Sequence, residues 1–342
     1  MLFPHAYCTY FDSAYLPRGL ALIESLRSNG DNSPVWVMAL DDAARSYLVD
    51  AAIPGVNVVP VDALEQTVPG LLALKTARSR MEYYFTCTPL LLRWVMNHYA
   101  EPTTVIYLDS DLYFFDDPSK VLAAMGDASI GIIEHRYVPR LQRRLGKYGR
   151  FNVGWVGFAP DANGRQCLDW WGERTLEWCS DTPDAGRYAD QGYLDWFPEK
   201  FDGVRALQPV GLNLAPWNTA RYTLALEHDR VQVDDDPLVF FHFHGLRRSG
   251  RWYITAQSLY GALLGSVLRS HVYEPYVHHL ERLTRLLSES VAAPAVAGRR
   301  GRSIRGLLFQ AQRAAIKLGS IATGTAIRLD SAADSHGATT RE

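Results

Sequence analysis

The 342-residue chain reads as an α/β protein: a mostly parallel central sheet flanked by helices, followed by a C-terminal helical extension. Three observations predict this. Short apolar runs alternate with stretches of helical length through the first half. The run Thr103–Leu108 is apolar without alternation, as a strand covered on both faces requires. Acidic residues stand just past strand ends, at Asp12, Asp41 and Asp109, where open parallel sheets bind ligands.

Taken in order, Ala6–Phe11 reads as a strand. Tyr15–Asn29 reads as a helix, with Leu16, Leu20, Ile23 and Leu26 at helical spacing and Asn29-Gly30 as its stop. Val35–Leu40 is a strand, Ala43–Ala52 a helix, Val56–Val61 a third strand and Met81–Tyr99 a long helix. Beyond Leu108, strands are expected at Ile130–Ile133, Val153–Phe158 and Pro237–His244. Helices are expected at Cys167–Trp178 and Asp190–Phe197, and over most of Ile254–Val291 with a break near Pro275. APAVAGRRGR, from Ala292, reads as a linker. Ser303–Ala322 then forms a helix with Ile304, Leu307, Leu308, Ala311, Ala315 and Leu318 on one face. That pattern fits an interfacial helix, a helix docked on the domain, or an unfolded tail. The last twenty or so residues read as disordered. The expected units are 1–255, a helical extension at 256–291, and 292–342 as linker, basic amphipathic helix and tail.

Thirty-five basic residues against 37 acidic ones leave a formal charge of −2, which argues against a nucleic-acid binder. The charge is uneven. Arg299 to Lys317 holds six basic residues and no acid, which suggests a tether to an anionic membrane surface. Cys8, Cys87, Cys167 and Cys179 show no CxxC spacing and are expected as buried free thiols. MLFPHAYCTYF lacks the marks of a secretory signal, and no apolar run approaches the roughly 18–20 residues that span a bilayer. A cytoplasmic location follows as an expectation, peripheral on the inner face of the plasma membrane if the tail binds there.

VIYLDSDLYFFDDP carries the chemistry. Asp109 and Asp111 follow an apolar strand and alternate about Ser110, so they can point to one side and offer two hard oxygen ligands. Leu112–Phe115 would return to the core, and Asp116 or Asp117, before Pro118, would cap the next helix. Asp234-Asp235-Asp236 repeats the acidic pattern but precedes a strand and reads as a solvated turn. His242 and His244 of FFHFHG share a strand face, and an imidazole ligand would favour Mn²⁺ over Mg²⁺. Asp190 serves either a site or the N-terminus of the following helix. Trp217, beside Pro216 in a loop-like stretch, is the tryptophan placed to stack on a ligand, and His135-Arg136 could meet an anionic one.

YLDSD, FNVGWVGF, ADQGYLDWF and FHFHG, in this order over residues 5–255, resemble the GT-A fold glycosyltransferases of family 8, the glycogenin and lipopolysaccharide galactosyl- and glucosyltransferase type. The resemblance implies a Rossmann-like GT-A domain that transfers a sugar from a nucleotide-diphosphate sugar, a UDP-hexose above all. The acceptor would be a hydroxyl on a glycan or lipid-linked molecule, in surface-glycan or lipopolysaccharide synthesis, with retention of configuration. Asp109, Asp111 and His242 would hold Mn²⁺ (or Mg²⁺), with His244 at the family's variable position. Thr9, Asp12 and Tyr15 would line the base, Ser110 and Asn152 would contact the donor, and Asp190 and Gln191 would lie beside the anomeric carbon. The family's HxxGxxKPW ending is replaced by HFHGLRRSGRW, so Arg247 or Arg248 would take the lysine's place on the leaving diphosphate. Arg80, in RSRMEYYFTCTP, stands in for the donor-binding arginine. Two alternatives stay open: an inverting enzyme with Asp190 as base, and a non-catalytic nucleotide-sugar-binding or assembly scaffold.

Overall fold

A computed structural model describes residues 5–98, 103–184, 186–290 and 304–329. In chain order the first half runs β1 (His5–Phe11), α1 (Leu16–Ser28), β2 (Val35–Ala39), α2 (Asp42–Ala51), β3 (Val56–Pro60), α3 (Val61–Thr67), α4 (Leu71–Ala77), α5 (Arg80–His98), β4 (Thr104–Leu108), β5 (Leu112–Phe114), α6 (Ser119–Met125), β6 (Ile130–Glu134), α7 (Leu145–Tyr148) and β7 (Phe151–Phe158). The second half adds α8 (Ala162–Glu177), α9 (Phe197–Lys200), β8 (Val204–Ala206), β9 (Leu224–Glu227), β10 (Arg230–Val233), β11 (Asp236–Pro237), β12 (Phe240–His242), β13 (Arg247–Ser249) and β14 (Trp252–Ile254). Helices α10 (Ser266–Leu268), α11 (Glu274–Ser290) and α12 (Ile304–Ala322) and strand β15 (Ala326–Arg328) complete it.

Seven strands form the central sheet in the order β3-β2-β1-β4-β7-β6-β8. β3, β2, β1 and β4 are parallel, as helix crossovers require, and β7 enters antiparallel between β4 and β6. The strand centres are apolar on both sides because both faces are covered: one core packs under α1 and α11, the other under α5 and α8. The four cysteines lie buried and unpaired in this interior.

The sequence expectations hold for the sheet strands and the long helices, with boundaries moved by a few residues, and depart at four places. The expected strand Pro237–His244 divides: Asp236–Pro237 pairs with β10, and Phe240–His242 pairs with β5. Ile254 ends a strand, and helix proper resumes at Ser266 through a π-turn at Arg269–Tyr273, just before Pro275. The 3-10 segment Gln191–Trp196 takes the place of an α-helix after Asp190. The tail is ordered further than its composition suggests: β15 adds to β14 as a third strand, burying Ala326 and Ile327. An isolated reading of AIR carries no such signal, because the pairing partner lies more than seventy residues earlier. The linker from 292 and the chain beyond 329 lie outside the described residues. Helix α12 forms as expected, and of its apolar stripe Leu318 is 67 % exposed. No helix among the described residues is long and apolar enough to cross a membrane.

Candidate functional site

The sheet delivers DSD to its carboxyl edge. The N–H of Asp109 donates to the Gly154 carbonyl, extending the β4–β7 ladder by one residue, and Leu112 N–H closes a turn onto the Asp109 carbonyl. Asp109 and Asp111 therefore converge through a tight turn between β4 and β5, not through strand alternation. β5 then pairs antiparallel with β12, with Leu112 opposite His242, and Phe243 N–H donates to the Asp111 carbonyl. This register places the imidazole of His242 over the turn. Its Nε2 lies 3.1 Å from Asp111 Oδ1 and 3.5 Å from Asp109 Oδ2. One ligand atom from each of the three residues falls within 4.8 Å of the others. Asp116 and Asp117 have a separate task. Asp117 accepts from Ser119 N–H at 2.8 Å at the start of α6, and Asp116 pairs with Lys120 and Arg230.

Hydrogen bonding fixes the orientation of the His242 ring. Asn152 Oδ1 accepts from Gly154 N–H (3.2 Å), a group that can only donate, so the amide orientation is set. The same oxygen faces His242 Nδ1 at 3.3 Å, which must carry the proton and leaves Nε2 toward the carboxylates. Asn213 Nδ2 donates to Asn152 Oδ1 as well, at 3.2 Å. Gly154 has no room for a side chain, since a Cβ would fall 2.6 Å from Asn152 Oδ1 and 2.8 Å from His242 Nδ1. Burial lowers the basicity of His242, but Asp111 and Asp109 outweigh it and raise its pKa. Burial likewise works against ionised Asp111, yet His242, with Arg18 and His244, holds that carboxyl well below its usual range. Asp109 is shifted up by burial and by the charge of Asp111, against His242 and the Tyr107 hydroxyl. Its side chain is 31 % exposed, so hydration offsets much of the burial cost and the like charge is the firmer cause.

Two cavities meet at this triad. One, about 290 Å³, is lined by Asp12, Tyr15, Leu40, Met81, Tyr84 and Ser110; the other, about 280 Å³, by His135, Tyr137, Arg144, Tyr148, Asn152, Tyr188, Asp190, Gln191, Trp217 and Tyr260. Tyr10, Phe85, Asp109, His242 and His244 border both. Asp190 is 3 % exposed, and burial together with the charge of Asp109 pushes its pKa up to about 7 despite the Thr88 hydroxyl. Its side chain makes no cap bond to the following 3-10 turn. Gln191 is engaged at both ends: Oε1 accepts from Asn152 Nδ2 (3.0 Å) and Val153 N–H (3.3 Å), and Nε2 donates to the Tyr148 carbonyl (2.8 Å).

The structure thus gathers Asp12, Tyr15, Ser110, Asp109, Asp111, His242, Asn152, Asp190 and Gln191. Arg80 reaches the rim through Asp12 Oδ2 (3.0 Å) and the Tyr84 hydroxyl (2.6 Å). His244 borders the cleft outside the triad, its ring centroid 6.0 Å from that of His242. Two of the predicted residues stand apart from the cleft. Thr9 is fully buried and lines neither cavity, because its side chain points from β1 into the core beneath. Arg248 lies on β13, pairs with Glu281 at 3.0 Å and lines a separate cavity with Arg251, His278 and Arg285. Trp217 is only 3 % exposed, set edge-on to His242, His244 and Tyr260 as a wall of the cleft. Arg136 meets no ligand space; it donates to the carbonyls of Leu207, Gln208, Pro209 and Leu212. GLNLAPWN supplies a buttress, with Asn213 behind Asn152 and Asn218 donating to the Asn213 and His135 carbonyls.

Sequence reading missed Tyr10, Arg18 and Arg144. Arg18 lies on α1 over the Tyr15 ring (4.6 Å), donates to the Leu246 carbonyl, and forms no ion pair among the described residues. Its signal is faint: a lone arginine one residue past the Pro17 that opens α1.

No family model matches the chain. The galactosyltransferase LgtC, solved in complex with donor and acceptor sugar analogs, is similar with a TM-score of 0.50 and 15 % identity, over 85 % of this chain and 98 % of that one. That likeness establishes the fold, a GT-A arrangement with a central mostly parallel sheet. The uncharacterized protein YfnD of Bacillus subtilis (strain 168) is 29 % identical over 282 residues, 81 % of this chain and 88 % of its own length. The uncharacterized protein YfnF of the same organism is 37 % identical over 252 residues, 71 % of this chain and 82 % of its own length. Identity at that level over that span places this chain in the same family as YfnF.

Proposed function

We propose that the protein is a metal-dependent glycosyltransferase of the family 8 type. It would move a hexose from a UDP-hexose to an acceptor hydroxyl with retention, in surface-glycan or lipopolysaccharide synthesis. One observation carries the reading: Asp109, Asp111 and His242 converge where two cavities of nearly equal size join. A nucleotide fits the cavity of Asp12, Tyr15, Met81 and Tyr84, and the sugar and acceptor fit the cavity of Asp190 and Gln191, which leaves the diphosphate at the junction. Two carboxylates and one imidazole nitrogen suit Mn²⁺ better than Mg²⁺. A divalent cation held there would supply positive charge toward a departing diphosphate.

The chain's own residues do the rest. Asn152 and Gln191 lock each other and the His242 ring, so the groups facing the donor are held before it binds. Arg18, near Asp111 and without an ion pair among the described residues, takes the place beside the leaving group that the resemblance implies for Arg247 or Arg248. The basic C-terminal helix would bring the enzyme to a membrane-borne acceptor. A second reading has its own support: a buried Asp190 with a pKa of about 7 suits a general base, which would invert the anomer.

The test is release of nucleoside diphosphate by the purified protein with Mn²⁺ across a panel of nucleotide sugars. Asp111→Ala should abolish turnover with the circular dichroism spectrum unchanged. Absence of both turnover and Mn²⁺-dependent nucleotide binding across the panel would overturn the proposal. NMR of the product anomer decides between retention and an Asp190 base.

A further inference from the structure

The cavity that holds Asp190 has a cationic rim that the transfer reaction itself does not call for. Between Glu134 and Asp161 the sequence contains six basic residues and no acid. Three of the six are committed: Arg136 to the carbonyls around Pro209, Arg140 to the carbonyls of Tyr260 and Gly261, and Arg150 to Glu134. Arg143, Arg144 and Lys147 form no ion pair or hydrogen bond among the described residues. All three lie on the 3-10 turn Pro139–Arg144 and the short α7 that follows it.

Arg144 is the one that lines the cavity. Its guanidinium stands 4.9 Å from the Tyr260 ring centre and 5.9 Å from that of Tyr148, and Lys147 stands 4.9 Å from the same Tyr148 ring. Aromatic faces position a guanidinium while leaving its N–H groups free to donate, and that fork matches a carboxylate or a phosphate. Arg144 borders the cavity of Asp190 and Gln191, not the cavity of Asp12 and Tyr15 that the proposed function assigns to the nucleotide. Its charge still reaches His244, so it stands beside the junction, on the acceptor side. The carboxylates on this cavity do not neutralise it: Asp109 belongs to the triad, and Asp190 is buried without an ion pair.

We infer that the sugar acceptor carries an anionic group, a carboxylate or a phosphate, that Arg144 receives it, and that Arg143 and Lys147 steer it in. This rests on the transferase reading of the cleft. The two sources of the anion are separable by probe, and the two ideas are separable by experiment.

The experiment is calorimetric titration of the full chain, saturated with Mn²⁺ and UDP, at constant ionic strength. The probes are glucose, glucuronate and glucose 6-phosphate. The wild type should bind at least one anionic probe about tenfold tighter than glucose, and the tighter anion identifies the group. Arg144→Gln should bring the charged and neutral sugars to equal affinity, Arg144→Lys should keep part of the preference, and UDP affinity should not change in either. Equal binding of all three probes by the wild type would overturn the inference, as would an anion preference that survives Arg144→Gln. A loss of UDP affinity in Arg144→Gln as large as the loss of anion affinity would assign the guanidinium to the diphosphate and also overturn it. Failure of UDP to bind the wild type with Mn²⁺ would instead sink the transferase reading.

Discussion

Asn152→Ala separates two roles for one side chain. The sequence resemblance gives Asn152 to the donor sugar, whereas its contacts make it the support of His242. Its Oδ1 takes Gly154 N–H, Asn213 Nδ2 and His242 Nδ1, and its Nδ2 goes to Gln191. Truncation takes this acceptor from Gly154 N–H, His242 Nδ1 and Asn213 Nδ2 in a place where Asn152 itself is 6 % exposed, while Gln191 Oε1 keeps Val153 N–H. Three orphaned buried donors cost about 3–9 kcal/mol of stability together. Losing the partner that orients a metal-binding imidazole costs about 10- to 100-fold in metal affinity, or about 1.4–2.8 kcal/mol. Urea unfolding without metal measures the first quantity, and Mn²⁺ titration followed by electron paramagnetic resonance measures the second. Both should fall in Asn152→Ala. If Mn²⁺ affinity is unchanged in a folded variant while UDP-sugar binding alone weakens, the orienting role is refuted and the sugar contact stands.

Gly154→Ala should damage the same site by crowding, because the new Cβ meets Asn152 Oδ1 and His242 Nδ1 below 3 Å; Mn²⁺ affinity should drop by at least about tenfold, with the fold retained by circular dichroism. Asp31 gives an acid-sensitive tie between β1 and the turn after α1. Burial raises its pKa, but hydrogen bonds from His5, Ser33 and Tyr7 outweigh that and hold the carboxyl far below its usual value. A depressed carboxyl contributes stability above its unfolded pKa, near 4, and loses it as pH falls through the folded value. Asp31→Asn should therefore lower stability at pH 7 and flatten the loss of stability below about pH 4, read by urea midpoints across pH. A chain ended at residue 298 loses β15 with its buried Ala326 and Ile327, so its Tm should fall by several degrees, roughly what a loss of 1–2 kcal/mol produces in a chain this large. For that reason membrane binding is better tested with the full chain, by flotation on vesicles with and without anionic lipid; equal flotation on both would remove the electrostatic tether.

What the sequence could and could not disclose follows from the range of the interactions involved. β1 to β4, α1 and α5 declare themselves because burial on both faces, or one apolar stripe, is written in consecutive residues. The candidate site at Asp109 and Asp111 is equally local: two carboxylates beside a buried strand end cost free energy unless something positive joins them, and His242 meets them. Arg248 shows where that logic stops. In the linear chain it lies six residues from His242, within reach of any ligand bound there. In the fold, Gly245 turns the backbone at a φ of +70°, and the hairpin β13–β14 carries Arg248 to Glu281 on α11. The free cations near the triad come instead from Arg18, more than two hundred residues upstream, and Arg144, about a hundred. Nothing in PRG or QRRLGK distinguishes them from solvated surface charge. What marks them is an absence of carboxylate partners among the described residues, at positions beside aromatic rings, and only the assembled fold contains that information. The positive charge around the cleft is therefore drawn from segments remote in sequence, while its negative charge is concentrated within three consecutive residues, Asp109 to Asp111.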